Sequence, residues 1–409
     1  MTEIRSQQVA RRYAAERRFR FYGAAALAMT MLFLFFLIAD IAVKGMPAFV
    51  EHRAMVDVTV DPARVDAANP RSGDFEGLAK DAFRGLFPAV TARGDRKKLT
   101  GLLSQGAADD LRALVVADPS MIGKTIRVPL LLSDDADLHL KGGAVGRADE
   151  MQAAWLDELR KGGVIETGIA WRFFTSGDSR EAELAGLSGA LTGSLLTVAV
   201  ALLLALPLGI AAAIYLEQFA PKNKLTDLIE VNINNLAAVP SIIFGLLGLA
   251  MFLNFFGLPR SAPVVGGLVL SLLVLPTIII AARAALKAVP PSIIDAALGV
   301  GASHQQAVFH HVLPLAVPGI LTGTILGLAR AFGETAPLLM IGMVAFIADV
   351  PEGFGDAATV LPVQIFLWSD LPEIAFQSKT AAAIIVLMVV LVCLNAIAIY
   401  LRRRFERRW

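Results

Sequence analysis

Asp295-Ala296-Ala297-Leu298-Gly299-Val300-Gly301, followed ten residues later by His311-Val312-Leu313-Pro314, is a polar, helix-breaking stretch between two long apolar runs. A chain has no need of such a stretch for its own insertion into a bilayer. Pro290-Pro291 ends the apolar run before it, because proline inside a helix removes a backbone hydrogen bond. Ser292 is placed to cap a new helix, with Asp295 three residues on as in a capping box. Asp295 also suits the positive N-terminal end of that helix. Ala296-Ala297 keeps the helix slim enough to lie in a groove, and Gly301 permits a bend in which backbone approaches backbone. Ser303–Val312 reads as a second short helix, and Pro314 restarts the chain into the membrane. A short helix displayed outside a bilayer is a handle by which a soluble motor can move a channel. The plainer reading is a solvated loop.

Working outward, the 409-residue chain is 56% hydrophobic and only 18% charged, against about 25% charged in soluble domains. Mean hydropathy is +0.63. This is the composition of an integral membrane protein with some soluble mass. The single Cys393 sits in an apolar run, which excludes a disulfide framework and cysteine-rich metal or iron–sulfur sites.

A span needs about 20 mostly apolar residues. Six segments qualify: Phe21–Val43, Leu187–Tyr215, Ile233–Phe256, Val264–Ala285, a stretch within Leu315–Ile347, and Ala381–Leu401. The first is too long for a signal peptide and no small-residue cleavage site follows it. Basic residues flank both ends of the chain: Arg5, Arg11, Arg12, Arg17, Arg18 and Arg20 before the first span, and Arg402, Arg403, Arg404, Arg407 and Arg408 after the last. Positive charge stays in the cytoplasm, so both ends are expected there, which fits an even number of spans. Lys222, Lys224, Arg283 and Lys287 fall on the same side, and so does 290–314. The acidic loop with Asp349, Glu352, Asp356, Asp370 and Glu373 falls outside. The organisation expected is a basic tail 1–20, a first span 21–44, an outer soluble insert 45–180, a five-span core 181–402 and a basic tail 403–409.

The insert reads as a small α+β domain. Met55–Val60, Ile126–Leu132 and Leu138–Leu140 look like strands, and Gly77–Leu86 and Ala107–Val116 like amphipathic helices. Gly123-Lys124-Thr125 ends like a phosphate-binding loop, but that motif needs a glycine where Asp118 stands. Any ATPase must therefore be a separate chain. Phe173–Leu195, with Asp178, Arg180, Glu181 and Glu183, reads either as an interfacial linker or as a surface that meets a delivering protein.

Arg330 and Glu334 lie in an apolar stretch. A charge at bilayer depth costs at least about 2.5–3.5 kcal/mol on insertion scales, so each must face a partner or water. A spacing of four puts both on one helix face, and Gly333 and Pro337 loosen the backbone there. Two readings stand side by side: a structural ion pair, or a polar patch on a translocation path. Asn232, Asn234, Asn235 and Ser241 flank the third span, where they serve either helix-to-helix hydrogen bonds or the path. Pro240 is expected to kink that span as a hinge, with Thr335 and Pro337 as further hinge or path-lining candidates. Thr192, Ser194 and Asn395 read as helix-packing groups. His52, His139, His304, His310 and His311 show no metal-ligand spacing, so neither a metal nor a cofactor is expected.

At these residues the chain resembles a known family. Asp295, Ala296, Ala297, Gly301, Leu313 and Pro314 are similar to the EAA loop of ABC-transporter permeases, with Asp295 for the commoner glutamate and His311 where isoleucine is usual. Asn235–Leu246 and Ala329–Leu338 resemble signature segments of PstA-type phosphate permeases, and Asp178–Gly186 the start of the same core. The resemblance covers Phe173 to the C-terminus plus the first span. The insert resembles an N-terminal extension of some such permeases. The implied fold is α-helical, a type I ABC importer permease of six transmembrane helices. The implied partners are a second related permease, two copies of a cytoplasmic ATPase that grips the loop, and an outer phosphate-binding protein. The implied function is ATP-driven translocation of inorganic phosphate, with no covalent chemistry in this chain. On that reading Arg330 attracts the oxyanion through its planar donor fork and Glu334 holds the arginine. The alternatives are a permease for sulfate or molybdate, and a membrane-anchored sensor with the insert as its ligand-binding domain.

Overall fold

The computed structural model describes residues 2–142, 148–344 and 346–405, so Arg407 and Arg408 lie outside it. Helix α1 (Thr2–Gly45) carries the first apolar run and leaves Phe33, Phe35 and Phe36 exposed. A helix apolar all round meets lipid or protein rather than water. At its end Gly45 lies against α17, described below: a Cβ there would stand 2.8 Å from the Ala382 nitrogen.

The insert follows a short turn at Met46–Phe49. In order it holds β1 (Val50–Thr59), α2 (Phe75–Gly85), α3 (Arg93–Thr100), α4 (Gly106–Ala117), β2 (Thr125–Leu131), α5 (Asp134–Leu140), α6 (Glu150–Lys161) and β3 (Ile165–Ile169). The sheet is antiparallel in the order β2-β1-β3, with Val56 opposite Val128 and Ala54 opposite both Leu130 and Ile165. Val58, Phe75, Phe83, Leu111, Leu130 and Leu156 close its core. The α+β expectation agrees, as do two of the strands and both helices. Leu138–Leu140 is instead the end of α5. Asp134, Asp135 and Asp137 in its first turn suit the positive helix end and outweigh a three-residue alternation. Strand β3 went unanticipated because four of its five residues are exposed and leave no apolar rhythm. Gly123 turns into β2 at φ +86°, and its N–H donates to the Val60 carbonyl (2.8 Å), engaged by the sheet edge rather than free for a phosphate.

Helix α7 (Trp171–Thr175) leads to the membrane part. Helix α8 (Ser188–Ile214) continues through a widened π-turn at Tyr215–Phe219. Then come α9 (Lys224–Ala237), α10 (Ser241–Gly248) extended by Leu249–Phe255, α11 (Pro263–Lys287), α12 (Pro291–Gly299), α13 (His304–Ala307), α14 (Leu313–Gly333), α15 (Ala336–Met340), α16 (Leu361–Ser369) and α17 (Ile374–Phe405). Among the described residues, five helices are long and apolar enough to cross a membrane: Arg12–Phe49, Ser188–Phe219, Pro263–Lys287, His304–Gly333 and Ile374–Arg404. A sixth is a pair, Lys224–Ala237 and Ser241–Phe255, bent by 99°. The third expected span is therefore broken rather than kinked. Proline disfavours helical backbone in the residue before it, and Pro240 takes ψ 135° as the N-cap of α10.

Helix α11 is wedged between α8 and α14 by glycines. A Cβ on Gly209 would stand 2.7 Å from Ile278, one on Gly319 2.6 Å from Ala285, and one on Gly327 2.7 Å from Val274, while Gly323 rests on the Ala281 methyl. The spacing of four puts the last three on one face, and small residues let helix backbones approach. Ser194, expected to be a packing group, accepts the Leu361 N–H (2.7 Å). Lys379 near the start of α17 reaches the Ala185 carbonyl just ahead of α8 (2.5 Å), and Arg402 at its far end reaches Thr322 of α14 (3.3 Å). The insert thus sits at one end of the bundle, and 290–314 and the start of α1 at the other.

Gly323→Leu should force α14 off α11 and cost about 1–3 kcal/mol, as overpacking does. The thermal unfolding midpoint of the detergent-purified protein is expected to fall, whereas Gly85→Ala, with open space around its Cβ, should cause no loss.

Candidate functional site

Pro290 is the N-cap of α12 and Pro291 its first residue, where a missing N–H costs nothing. The expected Ser292 cap is not formed, because the proline pair starts the helix two residues earlier. Ala297 is buried, while Asp295, Ala296 and Leu298 face out and Val300 at the tip is 86% exposed. The helix ends in a Schellman motif: Gly301 N–H donates to the Leu298 carbonyl (2.9 Å) and Ala302 N–H to the Ala297 carbonyl (3.1 Å). Gly301 takes φ +89° with nothing within 4 Å of its Cβ position, so the glycine serves backbone conformation and not the close approach expected. Ser303 and Gln306 form a reciprocal capping box that starts α13. Helix α13 runs through a π-turn at Val308–Val312 into α14, with Leu313 and Pro314 in the first turn. Pro314 has no N–H to give, and the widened turn ahead of it absorbs the gap. Val308 and Val312 are buried against Ile214, Ala282 and Leu286. His311 is exposed; with His310, Pro290, Ile293 and Pro314 it lines an open groove of about 600 Å³.

The second constellation forms where two helices are interrupted. Helix α14 stops at Gly333, and Glu334 turns extended (ψ 126°). The expectation of one helix face for Arg330 and Glu334 is thereby corrected, since the break intervenes; yet Arg330 Nε still lies 3.5 Å from Glu334 Oε1, with side chains 39% and 19% exposed. The Thr335 carbonyl accepts the Leu338 and Leu339 N–H groups as α15 begins. Pro337 is buried under α10: a Cβ on Gly245 would stand 2.6 Å from Pro337 Cα. Pro240 and Ser241 are one turn before Gly245, so this contact brings the two hinge candidates within a turn of each other. Asn235 lies in the last turn of α9, exposed, and Asn232 bonds back to the Leu228 carbonyl (2.7 Å) rather than across to another helix.

Residues 205–408 match the family described as "Binding-protein-dependent transport system inner membrane component", and residues 6–150 match "Domain of unknown function (DUF3333)". "Phosphate transport system permease protein PstA 1" of Mycobacterium tuberculosis is 31% identical over 58% of this chain and 77% of its own length. The chain belongs to the PstA permease family. A Xylella fastidiosa PstA is 30% identical over 58% of this chain and 82% of its own. A Bacillus subtilis protein named "Probable ABC transporter permease protein YqgI" is 34% identical, over 42% of this chain and 58% of its own length. The family and its apolar helices make this PstA-type chain a multi-pass inner-membrane protein.

Three groups of this permease were not legible as sites. Arg283 of α11 pairs with Glu230 of α9 (2.6 Å) and approaches Glu217 at the end of α8 (3.4 Å). Nothing in sequence spacing joins residues 53 and 66 apart. His304 Nε2 lies 2.9 Å from the Gln218 carbonyl, and its ring stands edge-on to Phe219 at 5.2 Å. At the opposite end, Glu51, His52, Asp137, Lys141, Glu183 and Lys379 surround a cavity of about 40 Å³ between insert and α17, with room for a few waters. His52 Nδ1 is 2.8 Å from Asp137, Lys141 pairs with the same carboxylate, and Lys379 lies over the Phe173 ring at 5.7 Å. Within Phe173–Leu195, Asp178 accepts the Trp368 indole N–H (2.9 Å) and Arg180 lies over Phe346.

Burial pushes the Glu183 carboxyl above the ordinary glutamate range, against the Ser104 hydroxyl that holds it down. The native state therefore keeps a proton that the unfolded chain has released. Its contribution to stability is present at pH below the ordinary glutamate value and is lost as pH rises to the raised value. The melting temperature of wild type relative to Glu183→Gln should rise as pH is lowered through that window; a difference flat in pH would show that Glu183 stays charged.

Proposed function

We propose that this chain is the permease subunit that moves inorganic phosphate across the bacterial inner membrane in an ATP-driven importer. The observation that carries the proposal is the seat of Gly245 on Pro337. It joins Asn235–Leu246 to Ala329–Leu338, the segments that resemble phosphate permeases, and the Mycobacterium tuberculosis and Xylella fastidiosa relatives carry phosphate transport in their names. A second, homologous permease completes the pathway, and a periplasmic phosphate-binding protein delivers the anion to the face that carries the insert. Both termini and residues 290–314 are cytoplasmic. There two copies of a separate ATPase subunit bind α12 through Leu298 and Val300, whose apolar side chains stand in solvent beside Asp295, Ala296 and Gly301.

ATP closes the ATPase dimer, α12 and α13 follow, and the spans rock so that the path faces outward; hydrolysis reverses the movement. ATP drives this shift through its differential affinity for the two states. Arg330 attracts the phosphate oxyanion with its planar donor fork. Glu334, 3.5 Å away, orients the guanidinium and weakens anion binding enough for release. Pro240, Ser241, Thr335 and Pro337 form the hinge around it, and Asn235 borders the path.

Arg330→Gln should lower phosphate uptake about ten- to hundredfold in an assembled complex, the effect of losing one charge-assisted hydrogen bond of about 1.5–3 kcal/mol. Unchanged uptake would return Arg330–Glu334 to a structural role. Radiolabelled phosphate and sulfate uptake in cells lacking the chain decides the substrate. Loss of phosphate uptake alone is expected, and loss of sulfate uptake alone would overturn the assignment.

A further inference from the structure

We infer that His304 and Arg283 carry the displacement of the coupling segment into α9, which acts as a lever on the break at Pro240. This rests on the reading of 290–314 as the ATPase-gripped segment and names how its movement leaves it. The last carbonyls of a helix have no partner within it. At the end of α8 the Ala220 N–H takes the Tyr215 carbonyl, and the Gln218 carbonyl accepts from His304 Nε2, the first residue of α13. For that bond Nε2 must carry the hydrogen. The same imidazole stands edge-on to Phe219, so it grips the π-turn by a polar and an aromatic contact at once.

The next link is ionic. Glu217, beside Gln218 in that π-turn, faces Arg283 of α11, and Arg283 Nη2 bonds Glu230 in the middle of α9. Helix α9 is thus held at two points. Asn223 caps its start, accepting the Leu225 and Thr226 N–H groups, a few residues after the π-turn. Fourteen residues of helix, about 21 Å long, then end at Ala237, directly before the break. Beyond the break, Gly245 sits on Pro337, three residues from Glu334. A shift of α13 reaches the candidate path through contacts that are each in place. The buried cluster of Val308, Val312, Ile214, Ala282 and Leu286 fixes the base of the same segment to α8 and α11, and Arg283, next to Ala282, carries the ionic link on to Glu230 of α9.

A simple capping role for His304 would change stability without changing how much transport each ATP yields. The test therefore reads phosphate imported per ATP hydrolysed in the complete reconstituted transporter. His304→Ala should lower this ratio about three- to tenfold, in the range of coupling effects along packed networks. His304→Gln, whose amide N–H can take the Gln218 carbonyl, should restore most of it. Glu230→Gln should lower it as well, and the double variant His304→Ala with Glu230→Gln should be no worse than the poorer single one. An unchanged ratio in His304→Ala, additive losses in the double variant, or a His304→Gln variant no better than His304→Ala would each overturn the inference. Val300→Cys, cross-linked to the ATPase subunit in a Cys393→Ser background, separates the two failures. Cross-linking with an unchanged ratio sinks only the role of His304, while a segment that never cross-links sinks the coupling reading itself.

Discussion

The seat of Gly245 on Pro337 holds two interrupted helices together, and the candidate path depends on it. Inside a bilayer, backbone N–H and C=O groups must find partners within the protein, so irregular backbone survives only where it faces protein or a polar cavity. The breaks at Ala238–Pro240 and Glu334–Thr335 meet that condition jointly, since each lies within about a turn of the contact. Any side chain at position 245 would press the Pro337 backbone and expose both breaks. The charged pair has the same logic. Arg330 lies in the last turn of α14 where the helix opens, and its partly exposed side chain keeps Glu334 as a partner 3.5 Å away, as a charge in an apolar stretch must have a partner or water.

The insert is joined to the bundle by a junction of a different kind. Buried charges are tolerated when they are paired and hydrogen-bonded. Lys379 meets the Ala185 carbonyl and the Phe173 ring, while His52, Asp137 and Lys141 form a linked set on the insert side. Phe173 also meets Phe49, and Trp368 reaches Asp178. The insert therefore rides on the first turns of α8 and α17 as one body with them, rather than hanging from α1 as a tethered domain.

Much of this was legible in the sequence. Apolar length gave the spans, and the Asp295–Gly301 stretch gave a displayed helix because proline before and glycine after have few other uses. Details that depend on distant partners were not legible. Pro240 announced a bend, but the extended ψ of 135° that Pro240 takes between the two helices makes it a 99° break, and local sequence does not say whether the freed groups will be satisfied. Ser292 looked like a cap because the pattern is local, while Pro290 set the start. Lys379 is hidden by its place just ahead of an apolar run, and Arg283 reads as an orientation signal in sequence, where its partners Glu217 and Glu230 are distant. Leu138–Leu140 failed for the reverse reason: three residues are too few for alternation to outweigh an acidic helix start.

These contacts divide the bundle into stiff and compliant parts. Gly319, Gly323 and Gly327 lock α14 to α11, and Gly209 locks α11 to α8, at separations where a methyl group would not fit. Close-packed interiors of this kind shift between discrete arrangements instead of deforming continuously. Helix α8 is also tied at both ends, to Lys379 through Ala185 and to His304 through Gln218. A push at the end that carries residues 290–314 cannot be absorbed within α8, α11 and α14, so it must appear where helical hydrogen bonding is already interrupted. Those places are the two breaks that Gly245 and Pro337 bring together. A chain that needed only a stable membrane anchor would gain by closing them, since each continuous helix would bond its own backbone; the breaks stay open beside the charged pair, as the proposed moving path would require.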